Sequence, residues 1–184
     1  NPVYPESGAV ANTPLMKAFE MADRQRDKVG IDVAVTANEN LSLGLNLDYY
    51  KDDYENMVLG LTEASGFTVT PSLTHTFNDK VSTTAYFTYD RLKSEQSGRE
   101  WIVTPAVSNA WAASDDNTTQ TVGLSLNWKA IVKKLDLSAD LVYSDFSGKI
   151  RYPGSSNLPE LTSRLTVIGI NGVYQLKDNL ALRA

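Results

Sequence analysis

Residues 29 to 49, VGIDVAVTANENLSLGLNLDY, constrain the chain most, because apolar and polar positions alternate through them twice around one polar interruption. Val29, Ile31, Val33 and Val35 alternate with Gly30, Asp32, Ala34 and Thr36. After Asn38-Glu39-Asn40, Leu41, Leu43, Leu45, Leu47 and Tyr49 alternate with Ser42, Gly44, Asn46 and Asp48. A period of two places successive side chains on opposite faces of a strand, so each run is a strand with one apolar face. Two such runs joined by a short polar loop predict a β-hairpin. Facing residues of an antiparallel pair point to the same side, so Ala37 opposite Leu41 sets the register. It pairs Val35 with Leu43, Val33 with Leu45, Ile31 with Leu47 and Val29 with Tyr49. Continued outward, it brings Asp27 to Lys51 and Arg26 to Asp52. These charge pairs support the register without having been used to choose it.

The same unit recurs. Phe67, Val69, Pro71, Leu73, His75 and Phe77 share a face, and after Asn78-Asp79-Lys80 the chain returns through Val81, Thr83, Ala85, Phe87 and Tyr89. A third hairpin sets Val122, Leu124, Leu126 and Trp128 against Leu135, Leu137, Ala139, Leu141 and Tyr143. Its turn, 129 to 134, carries Ile131 and Val132, which turn chemistry does not explain. A fourth turns at Lys177-Asp178-Asn179, where Leu176 opposite Leu180 places Ile168, Ile170 and Tyr174 on the apolar side. Strand seven holds aliphatics on both faces, so its turn alone orients it. Strands are therefore expected near 29–37, 41–53, 66–77, 81–93, 118–128, 135–146, 164–176 and 180–184. Three of the four turns read as three-residue loops whose last residue can adopt a left-handed conformation.

Residues 1–28 are expected to form an N-terminal loop or extended arm leading into the first strand, with Pro2, Pro5 and Gly8 breaking regular structure. Within it, TPLMKAFEMA (13–22) reads locally as a helix capped by Thr13. The competing reading extends the first strand back to 23 and puts Arg24, Arg26 and Lys28 on its polar side. The opening NPVYPESGAV has neither the basic start nor the apolar core of a signal peptide.

Composition removes several function classes. The chain has no cysteine, which excludes disulfides, thiolate metal sites, thiol nucleophiles and covalent c-type haem attachment within it. One histidine cannot build a multi-histidine metal cluster. A net charge of −5 argues against a nucleic-acid binder. No apolar run approaches the roughly 20 residues of a membrane helix. A membrane barrel is untouched by that test, since its strands alternate and look hydropathically bland.

The connections opposite the short turns are expected at about 54–65, 94–118 and 147–163. Short turns at one end, long loops at the other and strands of about ten residues are the plan of outer-membrane barrels. Tyr49, Tyr89 and Tyr143 lie toward the long loops, whereas Phe77, Trp128 and Tyr174 lie toward the short turns. Two aromatic belts on the apolar face fit the two lipid–water interfaces. A soluble β-sandwich also alternates its faces. Greek-key sandwiches, however, mix long and short connections at both ends, and a solvated sheet favours Lys and Glu over the Thr/Ser ladder of strand three. The fold expected is all-β, an antiparallel up-and-down transmembrane β-barrel segment.

Several segments carry a family resemblance: DRQRDKVG (23–30), LSLGLNLDYYKDDY (41–54), LGLTEASG (59–66), SEQSG (94–98), LPEL (158–161) and the ending YQLKDNLALR. Together, and in this order, they resemble the MtrB/PioB family of outer-membrane barrels that accompany decahaem cytochromes. Family barrels are much larger than seven or eight strands, so the likeness implies a C-terminal portion of one. A chain that stops inside a strand, without a terminal aromatic, agrees with that. Some family members carry a cysteine pair near the N-terminus of the full protein, and nothing here matches it. The resemblance implies a bacterial outer-membrane sheath that encloses a periplasmic decahaem c-type cytochrome and docks an extracellular multihaem cytochrome at its loops. Haem would then belong to the partners, with no cofactor held by this chain. The alternatives are a general or substrate-selective porin and a soluble β-sandwich binding module.

On this register the candidate lumen-facing residues are Arg24, Arg26, Lys28, Asp32, Asn46, Asp48, Asp52, Asp90, Asn127, Asp136 and Asp140. They would contact an enclosed partner, or instead face lumen water and pair with one another, as Arg26 and Asp52 would. Trp101 and Trp111, placed in the longest loop, are candidate extracellular contacts, unless the loop packs on itself. His75 reads as an interfacial residue rather than a haem ligand. Asp52-Asp53-Tyr54-Glu55 could attract calcium but lacks the loop spacing of a calcium motif, and a solvated strand end is the simpler reading. No Ser/His/Asp set, carboxylate pair in a pocket or phosphate loop can be assembled, so catalysis is not expected.

Overall fold

The computed structural model describes residues 23–55, 59–100, 109–130, 134–154, 158–177 and 180–183. They form eight strands: β1 (Asp23–Asn38), β2 (Leu41–Glu55), β3 (Gly60–Asn78), β4 (Val81–Glu100), β5 (Asn109–Trp128), β6 (Leu135–Arg151), β7 (Leu161–Lys177) and β8 (Leu180–Arg183). All are antiparallel neighbours in one sheet ordered β1 to β8, with β1 and β8 at its edges. Residues 23–28 are strand. The helix read at 13–22 lies outside the described residues, as do Trp101, Ile131, Val132, Asp178 and Asn179.

The first hairpin pairs Val35 with Leu43, Ile31 with Leu47, Val29 with Tyr49 and Arg26 with Asp52, as expected. Its tip differs. Leu41 pairs with Asn38, and the register shifts between Thr36 and Asn38, so Ala37 is bulged out of the ladder. The Asn38 side chain accepts the Asn40 N–H at 2.9 Å, an Asx-turn that closes the loop. The second hairpin repeats this: Asn78 pairs with Val81, and its Oδ1 accepts the N–H groups of Lys80 (2.9 Å) and Val81 (3.1 Å). No left-handed residue is needed at either tip. Among the described residues Ala130, in the β5–β6 turn, is the non-glycine residue with positive φ, at 50°.

A second correction concerns length. Much of the segments 54–65, 94–118 and 147–163, read above as connections, is strand, and β4 and β5 are 20 residues each. Trp111 consequently lies within β5 rather than in a loop.

The aromatic belts are staggered. Tyr49 pairs with Phe67, but Phe67 pairs with Arg91, so Tyr89 sits one pleat nearer the short turns. Tyr89 pairs with Gln120 and Gln120 with Asp145, which puts Tyr143 one pleat nearer again. At the other belt Trp128 pairs with Leu137 and Leu137 with Gly172, leaving Tyr174 one pleat further in the same direction. A steady offset of this kind is the shear of tilted barrel strands. From Phe67 to Phe77 the apolar band is then roughly 25 Å tall at a tilt near 40°.

Nothing covers that band among the described residues. Val29, Ile31, Val122, Ile168 and Ile170 are all more than half exposed, and among the described residues the buried hydrophobic ones are Leu59 and Ala113. A sandwich would pack a second sheet here, and the described residues contain one sheet. The soluble-sandwich reading is thereby set aside. A bare apolar band between aromatic belts is stable only against lipid.

Candidate lumen surface

The face opposite the lipid band carries the candidate functional residues, and its character changes across the sheet. On β1 and β2 it is ionic. Arg26 donates twice to Asp52, at 2.6 and 2.7 Å, and Arg24 approaches the same carboxylate at 3.8 Å. The Arg26 guanidinium stacks on Tyr50, 4.5 Å from the ring centroid. Asp52 is only 2% exposed, so this two-pronged contact is what keeps a buried charge compensated. Lys28 reaches Asp48 at 3.1 Å, and the Asn46 amide donates to Asp32 at 2.6 Å.

From β3 to β6 the surface becomes a hydroxyl ladder. Thr70 bonds Thr88 (3.0 Å), Thr74 bonds Thr84 (2.9 Å), Thr121 bonds Ser144 (3.0 Å), and Ser125 donates to Asp140 (2.6 Å). Small hydroxyl residues suit this wall because they satisfy one another while projecting little beyond the pleat. On β6 and β7 it turns aliphatic: Val142 pairs with Val167, Ser144 with Leu165 and Gly148 with Leu161. Leu161, Leu165 and Val167 are 57%, 58% and 46% exposed.

Large lumen side chains lie flat. Tyr50 faces Gly66 and Tyr86 faces Gly123 across adjacent strands, and a Cβ on either glycine would collide with the ring. The Trp111 indole covers Gly98 in the same way and meets Tyr152 edge-on at 6.2 Å. Glycine opposite an aromatic removes the obstacle to a ring folded against the sheet.

Most of the residues expected on this face hold each other. Arg24, Arg26, Lys28, Asp32, Asn46, Asp48, Asp52 and Asp140 are engaged as described. Asp136 accepts the Ala130 N–H at 2.8 Å and so fixes the β5–β6 turn. Two stand apart. Asn127 lines a recess of about 460 Å³ near the short turns, with Ser82, Ser138 and Asn171 in the same cross-strand row. Asp90 has a buried Oδ1 with no hydrogen-bond partner. Sequence reasoning missed the flattened rings, because their glycines become visible only once strands of different hairpins are registered. It also passed over the lumen aliphatics, although the double-faced pattern of strand seven was their signal.

Other tempting residues resolve differently. Asp52 and Asp53 point to opposite faces: Asp53 pairs with Lys51 at 3.5 Å, and Lys51 also reaches Glu63 at 3.2 Å. Their adjacency therefore does not make a joint cation site. His75 lies on the lipid side, edge-on to Phe77 at 4.5 Å, with a buried Nδ1 that has no partner.

Comparison with known proteins agrees with this geometry. Residues 3–184 match the family model described as "Putative outer membrane beta-barrel porin, MtrB/PioB". Outer membrane protein MtrB of Shewanella baltica (strain OS185) is 24% identical over 172 residues, covering 92% of this chain. The chain spans 24% of the length of that relative. Among solved structures, the siderophore receptor PiuA from Acinetobacter baumannii superposes with a TM-score of 0.53 at 13% identity, over 85% of this chain and 31% of that one. The translocator domain of the autotransporter NalP from Neisseria meningitidis gives 0.48 at 14% identity, over 87% of this chain and 58% of that one.

Proposed function

The chain belongs to the MtrB/PioB family of outer-membrane β-barrels, and from that premise we propose that it is a wall segment of a sheath around a periplasmic decahaem c-type cytochrome. The long-loop end would dock an extracellular multihaem cytochrome, so that electrons cross the outer membrane from haem to haem. This chain contributes insulation and positioning, not chemistry: haem stays with the partners and no reaction is catalysed here.

The observation that carries the reading is the lumen wall itself. Its charges are largely paired within the sheet, its rings are pressed onto glycines, and on β7 it carries the aliphatics Leu161, Leu165 and Val167. A wall that is smooth, self-satisfied and in part apolar suits contact with a folded protein. A water-filled pore gains nothing from placing Leu161, Leu165 and Val167 on its wall. The porin reading stays as the second one because the family description itself names a porin. In that case the paired charges of β1 and β2 would line a solute path.

Purifying the full-length protein from membranes in mild detergent and recording its absorbance separates the two. The sheath reading expects c-type haem to co-purify, carried on a band separate from the barrel in a haem-stained denaturing gel. A colourless barrel that conducts ions in a planar bilayer would replace the sheath with the porin.

A further inference from the structure

The outward face does not end at the aromatic belt. Above Tyr89, toward the long connections, β4 presents Arg91 and then Lys93 on the same face as the lipid band. Across the sheet, Asp116 of β5 pairs in register with Lys93 on one side and Lys149 on the other. Arg91 donates twice to Asp116, at 2.8 and 2.7 Å, and Arg151 approaches it at 4.0 Å. Four cations thus surround one carboxylate. Lys149 is drawn off to Glu160 at 3.4 Å, and one pleat above Lys93 and Ser65 the same face carries Glu95 and Glu63, Glu63 being held by Lys51 at 3.2 Å. Beside them is an open recess of about 460 Å³ lined by Tyr49, Ser65, Phe67, Tyr89, Arg91 and Lys93. Its floor is the aromatic belt, level with the headgroup end of the acyl chains, and Arg91 and Lys93 form its wall on the β4 side.

We propose that this recess docks the phosphorylated headgroup of a lipid A-type glycolipid in the outward leaflet of the membrane. Tyr49, Phe67 and Tyr89 would pack on the sugar and the first methylenes, because such rings settle at the headgroup level. Lys93 supplies a mobile ammonium to the phosphate, and Arg91 lends the donors that Asp116 does not occupy. Charge and depth together favour this occupant: a phosphate at the leaflet surface meets two cations directly above apolar surface. The proposal rests on the outer-membrane placement and is independent of what fills the lumen.

The test uses the full-length protein in mild detergent, titrated with diphosphoryl lipid A and with the same lipid stripped of phosphate, and read by native mass spectrometry. Retention should favour the diphosphoryl form by about tenfold or more. Lys93→Gln should lower it about fivefold, whereas Lys93→Arg should hold it. Lys93 is exposed and its loss strands no carboxylate, so folding survives, as heat-modifiable gel migration will verify. Asp116→Asn releases Arg91 and should raise retention. Equal retention of the stripped lipid, no effect of Lys93→Gln, or weaker retention in Asp116→Asn would each overturn the proposal.

Discussion

Ile168 and Ile170 of β7 stand 73% exposed on one face of the sheet, while on the other face Asp52 of β2, an acid, is 2% exposed. In a water-soluble domain these positions would be exchanged. The contrast teaches that residue type alone does not decide exposure here. The outward band needs no protein partner because hydrocarbon solvates it, whereas the inward face must satisfy every polar group within the sheet or against whatever fills the lumen. Arg26, Tyr50 and Asp52 illustrate the inward rule by stacking and bonding in one unit.

Substitutions that ignore the face rule should cost most. Ile170→Lys puts an ammonium in the middle of the lipid band and is expected to destabilise the barrel by about 2–4 kcal/mol. Urea titration in lipid vesicles would measure it, and an unchanged midpoint would break the assignment of faces. On the inward side, Gly123→Val drives a branched side chain into the Tyr86 ring, for about 1–3 kcal/mol. Pairing it with Tyr86→Ala should recover much of that loss, a coupling readable from a double-mutant cycle. Asp52→Ala strands Arg26 against Tyr50 and is expected to cost about 1–2 kcal/mol, the lower part of the usual range because the guanidinium is half solvated. Thr74→Val, which deletes one rung of the ladder and keeps the shape, should cost about 0.5–1 kcal/mol. If Thr74→Val proves as damaging as Ile170→Lys, the inward wall is more tightly packed than its hydroxyl pairs imply.

Much of this contrast is legible in the sequence, for a physical reason. A tight polar turn fixes the offset between two strands, so Val29 to Tyr49 can be registered from the residues alone. Between hairpins the connections are longer and impose no offset. The pairing of Tyr49 with Phe67, and hence of Tyr50 with Gly66, could not be read. The upper halves of β4 and β5 were illegible for a different reason. Once strands leave the lipid, both faces meet water, and Arg91-Leu92-Lys93-Ser94-Glu95 loses the period of two that marks a strand. Trp111 was read as a loop residue on that account. The hairpin tips misled more gently: a three-residue polar loop is compatible with a left-handed last residue, but Asn38 and Asn78 close their turns with their own side chains.

The most direct test of the sheath is the solvent seen by Thr70, an inward residue of the hydroxyl ladder, relative to Val33, an outward one. Single cysteines introduced at each position in the full-length protein would be probed in intact outer membranes with a water-soluble maleimide, before and after the periplasmic cytochrome is deleted. Thr70→Cys should be protected while the cytochrome is present and become labelled when it is absent, and Val33→Cys should stay unlabelled in both. Equal labelling of Thr70→Cys with and without the cytochrome would contradict the enclosed-partner account and leave a water-filled pore.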